Sequence, residues 1–481
     1  MKSSLFLILV LFTSSCSTKS PAEDFFNDSI LVQIDDYIIL KNEFIQRAEY
    51  VLRPDYCSKN NNVHKQIILN SLIAEKLLAI QGEEHFQDKL INNYLKGLRE
   101  QSMREKLFFS VTDSIEIVNL ELNQFRKTAA RIYTLSYINL NKSQADRVIA
   151  DINISSELTN MLFNGKKIDT KEVSFLGESN SRLSYEIYSK PHNKYDIIGP
   201  VRMDDGSYIL MRVESWYSER KISEGSQKEY INNIRDHLRG LKTRDIYGNY
   251  VHKIMRNKSL NFSQSSFTKL IKNFYYEQLQ FEKSKKDLFQ KAIWAENRLV
   301  LTGQYKVIEI DKNEVLFTID GEEWSINKLQ QLIDIHPLVF RNKKISKKDF
   351  PEELKNAIAD LIRDYYLTKE AYKLDFDKDP YINQYIKMWR ENFIASALRL
   401  KLLESKSDND NDDVRYLESV INQLFQDYSD KIIIDFKLLD EIKLTSIPMH
   451  IINQNAPYQS PIPQFPVLTD NYIINYGEKR N

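Results

Sequence analysis

A chain of 481 residues with 67 basic and 67 acidic side chains has no net field to draw nucleic acid, and that length suits roughly two to four domains. Its 12 glycines and 12 prolines are too few to punctuate a β-sandwich or a doubly wound sheet, so long helices should dominate. The 27 tyrosines and 24 phenylalanines are either a bias shared with Lys, Asn and Ile or adhesive surface for extended peptides.

At the N-terminus Lys2 gives a positive charge, Leu5 to Phe12 form an apolar run, and small residues lead to Cys16. That is the layout of a secretory signal, and the run is too short to span a bilayer. Thr13-Ser14-Ser15-Cys16 resembles the bacterial lipoprotein cleavage box, with Thr13 in place of the usual leucine. An ordinary signal peptide with a chance cysteine is the alternative. Residues 1–16 are thus expected to be a lipoprotein signal, with Cys16 lipidated and 17–29 a tether. Nothing later is apolar for long enough to be a transmembrane helix. Lipidation of Cys16 would leave Cys57 alone, with no intrachain disulfide. Cys57 lies in no motif that would activate a thiolate.

Ile30 to Leu40 reads as a hairpin turning at Asp35-Asp36. Helices follow from Lys41 to Tyr50 and from His64 to Gln81, the latter with Ile67, Ile68, Leu72, Ala74, Leu78 and Ala79 at helical spacing. Ile91, Tyr94, Leu95 and Leu98 mark another. Thr112 or Asp113 can cap a helix running to about Phe125. The texture changes at Arg131: Ile132 to Ile138 alternates like a strand, Ser143 to Ile152 reads as a helix, and Val173-Ser174-Phe175-Leu176 is a short apolar stretch. Ile197 to Val201 and Ser207 to Val213 form a two-strand unit around Asp204-Asp205-Gly206. A long helix from about Lys228 to Met255 leaves this α/β insert.

The early pattern then returns. Val315 to Ile326 is a hairpin with an Asp-Gly turn, and helices follow at about 327–335, 352–373 and 380–403. Leu90 to Glu100 aligned on Tyr381 to Glu391 gives six identities in eleven: Ile91/Ile382, Asn92/Asn383, Tyr94/Tyr385, Lys96/Lys387, Arg99/Arg390 and Glu100/Glu391. That window, co-linear with the hairpin and helix before it, predicts an internal duplication. Residues 407–413 are an acidic break. Asp413 stands where an EF-hand loop needs glycine and Ser419 where it needs glutamate, so a solvated linker is expected rather than a calcium site. One helix, the strand-like Ile432-Ile433-Ile434 and a proline-spaced tail complete the chain. The tail either packs on the body or awaits a partner.

The seven histidines, His64, His85, His192, His237, His252, His336 and His450, form no H-E-x-x-H motif, and no cysteine pair completes a zinc site. There is no Walker loop, G-x-G-x-x-G or G-x-S-x-G. No metal and no cofactor is expected.

The hairpin around Ile34-Asp35-Asp36, the Leu72 to Leu78 helix and the Val111-Thr112-Asp113 helix start are similar to the N-terminal chaperone module of the SurA/PrsA/PpiD-type peptidyl-prolyl isomerases. Residues that follow resemble their parvulin domain, with Gly199-Pro200-Val201 before its last hairpin and Gly206 to Val213 as its final strand. The resemblance covers about 30–260, and the second copy carries it to about 405. The catalytic histidines do not carry over. After Ala130-Arg131 the chain has Ile132 and Tyr133, and two residues past Gly206 it has Tyr208. Only Phe175-Leu176-Gly177 hints at the family's glycine-rich segment. An X-Pro bond isomerises in tens to hundreds of seconds unaided, and catalysis needs a preorganised polar network that these positions no longer supply.

The expected fold is α+β: mainly helical chaperone modules, duplicated as hairpin-plus-helices units, around a small parvulin-like α/β domain. The expected divisions are an N-terminal chaperone module at 30–127, a degenerate parvulin-like domain at 128–218 and a helix returning to the chaperone core at 219–262. A second module at 263–405, a C-terminal helix and strand at 406–446 and the tail at 447–481 complete them. The resemblance implies a periplasmic, membrane-anchored holdase whose partners are unfolded or nascent exported polypeptides, outer-membrane proteins among them. Candidate peptide-binding residues are Tyr133, Tyr137, Phe175 and Tyr208. Two alternatives stay open: an active isomerase with a reworked site, in which tyrosines replace the histidines, and a structural lipoprotein subunit of an outer-membrane assembly complex.

Overall fold

In the computed structural model the residues described are 29–86, 88–150, 170–203, 207–219, 223–272, 274, 311, 313–342, 345–405, 413–445, 451–452 and 456–479. The expectations for residues 1–16 with Cys16, the turn at 204–206, most of the acidic break and His450 lie outside them. The described chain falls into two compact units. One, the insert, runs from 108 to 253; the other, the duplicated unit, comprises the residues up to 107 and those from 254 onward.

The duplicated unit begins with strands β1 (Ile30–Ile34) and β2 (Tyr37–Leu40), joined through Asp35 in the left-handed region. Helix α1 (Lys41–Glu49) follows, then α2 (Asn62–Gly82), whose first turn is capped by the Asn61 side chain accepting from the His64 N–H. Helix α2 is buried on nearly every side: Ile67, Ile68, Leu69, Leu72, Ile73, Ala74, Leu77, Leu78 and Ala79 are buried, and Lys65, Asn70, Ser71, Glu75 and Lys76 with them. Such a helix belongs at the centre of a core. Helix α3 (Lys89–Thr112) leads out of this copy. It runs through the residues read as the next helix's cap: the Thr112 hydroxyl bonds back to the Phe108 carbonyl at 2.8 Å. Helix α4 (Asn119–Ala129) starts instead after Val118, without a side-chain cap. Ser, Thr and Asp favour helix starts because their oxygens can cap, yet the same hydroxyl can return to its own helix.

In the insert, β3 (Arg131–Leu140), α5 (Lys142–Ala150), β4 (Thr170–Val173), α6 (Ser181–Tyr188), β5 (Ile197–Arg202) and β6 (Tyr208–Ser218) follow α4. The strands form an antiparallel sheet in the order β4-β3-β6-β5. Its main core joins Phe125 of α4, Leu135 of β3, Tyr188 of α6 and Met211 of β6 to Ile234 and Leu238. The last two lie on α7 (Glu224–Met255).

The second copy repeats the first in detail. Strand β7 (Asn261–Phe262) precedes β8 (Val315–Ile319) and β9 (Glu322–Ser325). Asp320 and Gly321 both take positive φ, 53° and 77°, as an Asp-Gly hairpin turn requires. β8 has the same inside-outside pattern as β1, and both hairpins break register between their first and third residues. Helices α8 (Ile326–Ile335), α9 (Phe350–Lys373) and α10 (Pro380–Glu404) match α1, α2 and α3 in order. Then come α11 (Asp413–Asp427), β10 (Ile432–Ile434), α12 (Phe436–Glu441) and, at the end of the tail, β11 (Glu478–Lys479).

The copies exchange parts. Strand β7, which follows the first copy and the insert, pairs with β8 of the second; β10, which follows the second, pairs with β1 of the first. Helix α10 lies along α2, and its Ile386, Trp389 and Phe393 enter the core that holds Leu31, Phe44 and Leu72. Helix α3 is shared: Ile91, Leu95 and Leu98 pack in that same core, while Arg104 bonds Thr368 of α9 at 2.8 Å and Lys106 pairs with Asp379. The acidic break thus stands, in the second copy, where the first carries the whole insert. The tail packs on the body, with Tyr458, Ile462, Phe465, Leu468 and Tyr476 buried in the same core. This settles the alternative left open for it.

Candidate functional site

The positions where the parvulin pattern has histidines fall on neighbouring strands, β3 and β6, but at opposite ends. Tyr133 pairs across from Trp216, and Tyr208 pairs across from Leu140. Trp216 lies eight residues beyond Tyr208 on the same strand, roughly 26 Å at ~3.3 Å per residue. Tyr133 is fully buried against Tyr188 and His192, with ring centroids 5.6 and 6.2 Å away. Its hydroxyl accepts from the His192 backbone N–H at 3.3 Å and from Arg131 at 3.4 Å. Phe175 is equally buried, within 5.6 Å of Phe125, 5.2 Å of Tyr188 and 4.8 Å of His237. Ile132 is half-buried opposite Tyr217. Tyr208 is half-buried on a separate small cluster with Leu140, Ala145, Val148 and Leu210. Of the four candidate peptide-binding residues, Tyr137 is the exposed one. Tyr133 and Phe175 are core residues, a correction: Tyr133 of β3 and Phe175, in the turn after β4, both enter the core with Leu135, Tyr188 and Val213, which α4, α6 and α7 cover.

Among the described residues the ionisable groups of the insert do not converge on an acid–base site. Burial pulls the pKa of His192 and of His237 down, so both sit as neutral rings. The His192 Nε2 lies 3.0 Å from the Glu186 carbonyl, where its proton satisfies that oxygen. Among the described residues no cluster of His, Cys, Asp and Glu is placed to hold a metal. Cys57, in the duplicated unit, is wholly buried, and desolvation pushes its thiol up to about 12, far from a reactive thiolate.

What the insert does present is aromatic surface. Tyr137, Tyr185, Tyr195, Trp216 and Tyr217 are all exposed, Tyr195 to 61% and Tyr185 to 57%. The Arg131 guanidinium lies 4.0 Å from the Trp216 ring centroid, stacking on one face of the indole. Tyr195 is held in the left-handed region with its N–H bonded to the Val213 carbonyl, three residues from Trp216. Among the described residues β4 and β5 are the edges of the sheet. Sequence reading missed Trp216 and Tyr217; the clue was the polar setting of Glu214, Ser215 and Ser218 around them.

The duplicated unit spends its polar groups differently. Arg47 of α1 and Glu75 of α2 form a bidentate pair at 2.8 and 2.7 Å, with side chains at most 1% exposed. Lys76 lies between Glu43 at 2.8 Å and Glu391 of α10 at 2.5 Å. Burial opposes the charge on Lys76, but the Glu391 and Glu43 carboxylates outweigh it and raise its pKa. One cation between two acids leaves an excess of negative charge, so burial and the Glu43 carboxylate raise the pKa of Glu391. The homologous position in the first copy is Glu100. It accepts from Nε2 of His336, the residue following α8, at 2.6 Å and from the Tyr372 hydroxyl of α9 at 3.0 Å. Burial acts against its charge, yet these bonds hold its pKa below the usual carboxylate range. One repeated glutamate therefore anchors each copy to the other. These charges are sealed from solvent, which suits fixing a packing register rather than chemistry on a substrate.

Comparison with family models and with curated proteins finds no match. Among solved structures, the foldase protein PrsA from Streptococcus pneumoniae is similar over 46% of this chain and 92% of its own, at 12% identity and a TM-score of 0.18. A score that low carries neither fold nor activity from that protein to this one.

Proposed function

We propose that the protein is a holding chaperone of the bacterial cell envelope that captures unfolded or nascent exported polypeptides on the insert, without changing them chemically. The observation that carries this reading is the set of exposed aromatic side chains on the insert. Burying one Phe or Leu of a client contributes about 1.5–3 kcal/mol, while association costs on the order of 4–15 kcal/mol. Several such contacts give weak, reversible capture. Extended clients can also add a strand at β4 or β5, where backbone hydrogen bonding ignores sequence. A lipid on Cys16 would keep this surface at the periplasmic face of the outer membrane, where exported chains pass.

The test is light scattering as a denatured client is diluted into the protein. Suppression of aggregation by substoichiometric to equimolar protein is expected, with no acceleration of X-Pro isomerisation in a short peptide. No suppression sinks the reading. Isomerisation that disappears in Tyr208→Phe makes the protein an isomerase instead. For the anchor, Cys16→Ser should move the protein from the membrane to the soluble fraction; an unchanged distribution refutes lipidation there.

A further inference from the structure

The segment from Tyr458 to Tyr476 is neither helix nor strand, yet it is gripped along its length. Its backbone carbonyls are read by side chains of the surrounding helices. Gln101 exchanges two bonds with the Tyr458 backbone, at 3.1 and 3.4 Å. The Tyr385 hydroxyl donates to the Pro461 carbonyl at 2.8 Å. Arg47, already paired with Glu75, donates to the Gln464 carbonyl at 2.8 Å, and Asn392 reaches the same oxygen at 3.5 Å. Further along, Ser71 bonds the Thr469 carbonyl at 3.2 Å, and Asn70 bonds those of Asn471 and Ile473 at 2.8 and 3.3 Å. The first three carbonyls read are three residues apart. The outward residues share that period: Gln464 and Asp470 are exposed and Val467 half-buried, while Ile462, Phe465 and Leu468 face the core. A three-residue period is that of polyproline II, a backbone with no internal hydrogen bonds and its carbonyls free to be read from outside. The prolines at 461, 463 and 466 favour it.

We propose that this groove, formed by α1, α2, α3 and α10, is a binding site for extended polypeptide that the chain fills with its own tail. The ligand class is a proline-spaced segment with an apolar residue at every third position. Donors aimed at carbonyls recognise the main chain and leave the side chains to be chosen by pattern alone. A client bearing that pattern would displace the tail, which makes the tail a resident competitor. The inference rests on the holding-chaperone reading and adds a second, regulated site to it.

The experiment uses the full chain with a protease site inserted between Thr445 and Ile451, folded first and cut afterwards. The probe is a fluorescent peptide of residues 456–479, followed by anisotropy. After cutting, the labelled peptide should exchange into the groove and be competed by an unlabelled proline-spaced peptide. A version with Ile462, Phe465 and Leu468 all changed to serine should not compete. The uncut protein should bind the probe far more weakly, because the tethered tail is at high effective concentration. Tyr385→Phe should lower peptide affinity about fivefold, the loss of one hydrogen bond, with an unchanged circular dichroism spectrum. A cut protein that unfolds as its tail leaves, or that never exchanges it, overturns the proposal and makes the tail plain core. Holding activity without peptide exchange likewise overturns the groove and leaves the chaperone reading standing. Peptide exchange without holding activity supports the groove and removes the chaperone reading.

Discussion

Both units are rich in aromatic residues, and among the described residues the insert exposes more of them on less chain, five against Tyr56, Tyr372 and Tyr472 of the duplicated unit. The duplicated unit packs Tyr94 against Trp389, Phe393 and Tyr458 with centroids 5.6, 5.2 and 4.6 Å apart, and it buries Arg47, Lys76, Glu75 and Glu391 as ion pairs. The insert keeps Phe125, Tyr133, Phe175 and Tyr188 inside and still leaves five aromatic rings exposed on a much shorter stretch of chain. Buried charge is costly to desolvate and becomes useful when it penalises every packing but one. Exposed aromatic surface contributes less to packing and is the kind of surface on which clients can be captured. The contrast is the ground for placing the proposed capture of unfolded clients on the insert, apart from the tail-filled groove proposed in the duplicated unit.

The largest effect should come from Lys76→Met. It strands two carboxylates in the core and should cost about 3–5 kcal/mol in urea unfolding of the duplicated unit, with the near-ultraviolet signal of the insert retained. A loss below 1 kcal/mol would mean the cluster is hydrated and fixes nothing. Next comes acid. Burial lowers the pKa of His336, so the folded chain refuses a proton that the unfolded chain accepts. Stability is therefore full above the unfolded value, about 6.5, and falls as pH drops from there towards the folded one. Glu100 adds a loss only at still lower pH, as its own depressed folded pKa is crossed. His336→Gln should flatten the melting temperature of the duplicated unit between pH 7 and 5; an unchanged slope would place the titration elsewhere. His192 and His237 impose the same sign on the insert.

Smaller changes sharpen the comparison within the insert itself. Tyr133→Phe removes a hydroxyl that accepts two hydrogen bonds and should cost about 1 kcal/mol, with client holding intact. Holding lost at unchanged stability would return Tyr133 to the binding surface. Trp216→Ser with Tyr217→Ser removes the Arg131 stacking and should cost about 1–2 kcal/mol of stability, leaving the insert folded, and yet reduce suppression of client aggregation. Retained suppression would move the capture surface off the end of β6.

Much of the fold could be read from the chain because its signals are local. Asp320-Gly321 names its own turn, and the paired windows around Glu100 and Glu391 announce the duplication. The exchange between copies could not be read. The third helices of both copies carry the same apolar positions, and periodicity says which face is buried without saying against which copy. Thr112 was ambiguous in kind, since a hydroxyl serves the start of one helix as well as the end of another. The site was less legible still. Tyr133, Phe175 and Trp216 are all aromatic residues in or beside alternating strands, and only the placement of α4, α6 and α7 decides which are covered. The tail offered prolines and apolar residues suited to either packing or recognition, and here it does the first with the geometry of the second.

The division of labour is tested most directly by photocrosslinking an unfolded client to the intact protein, with a photoreactive phenylalanine at Tyr217 or Tyr195 of the insert or at Tyr372 of the duplicated unit. All three positions are exposed, so each can report. Client adducts at 217 and 195 with little at 372 are the predicted result. Equal labelling at the three positions, or labelling confined to 372, would contradict it.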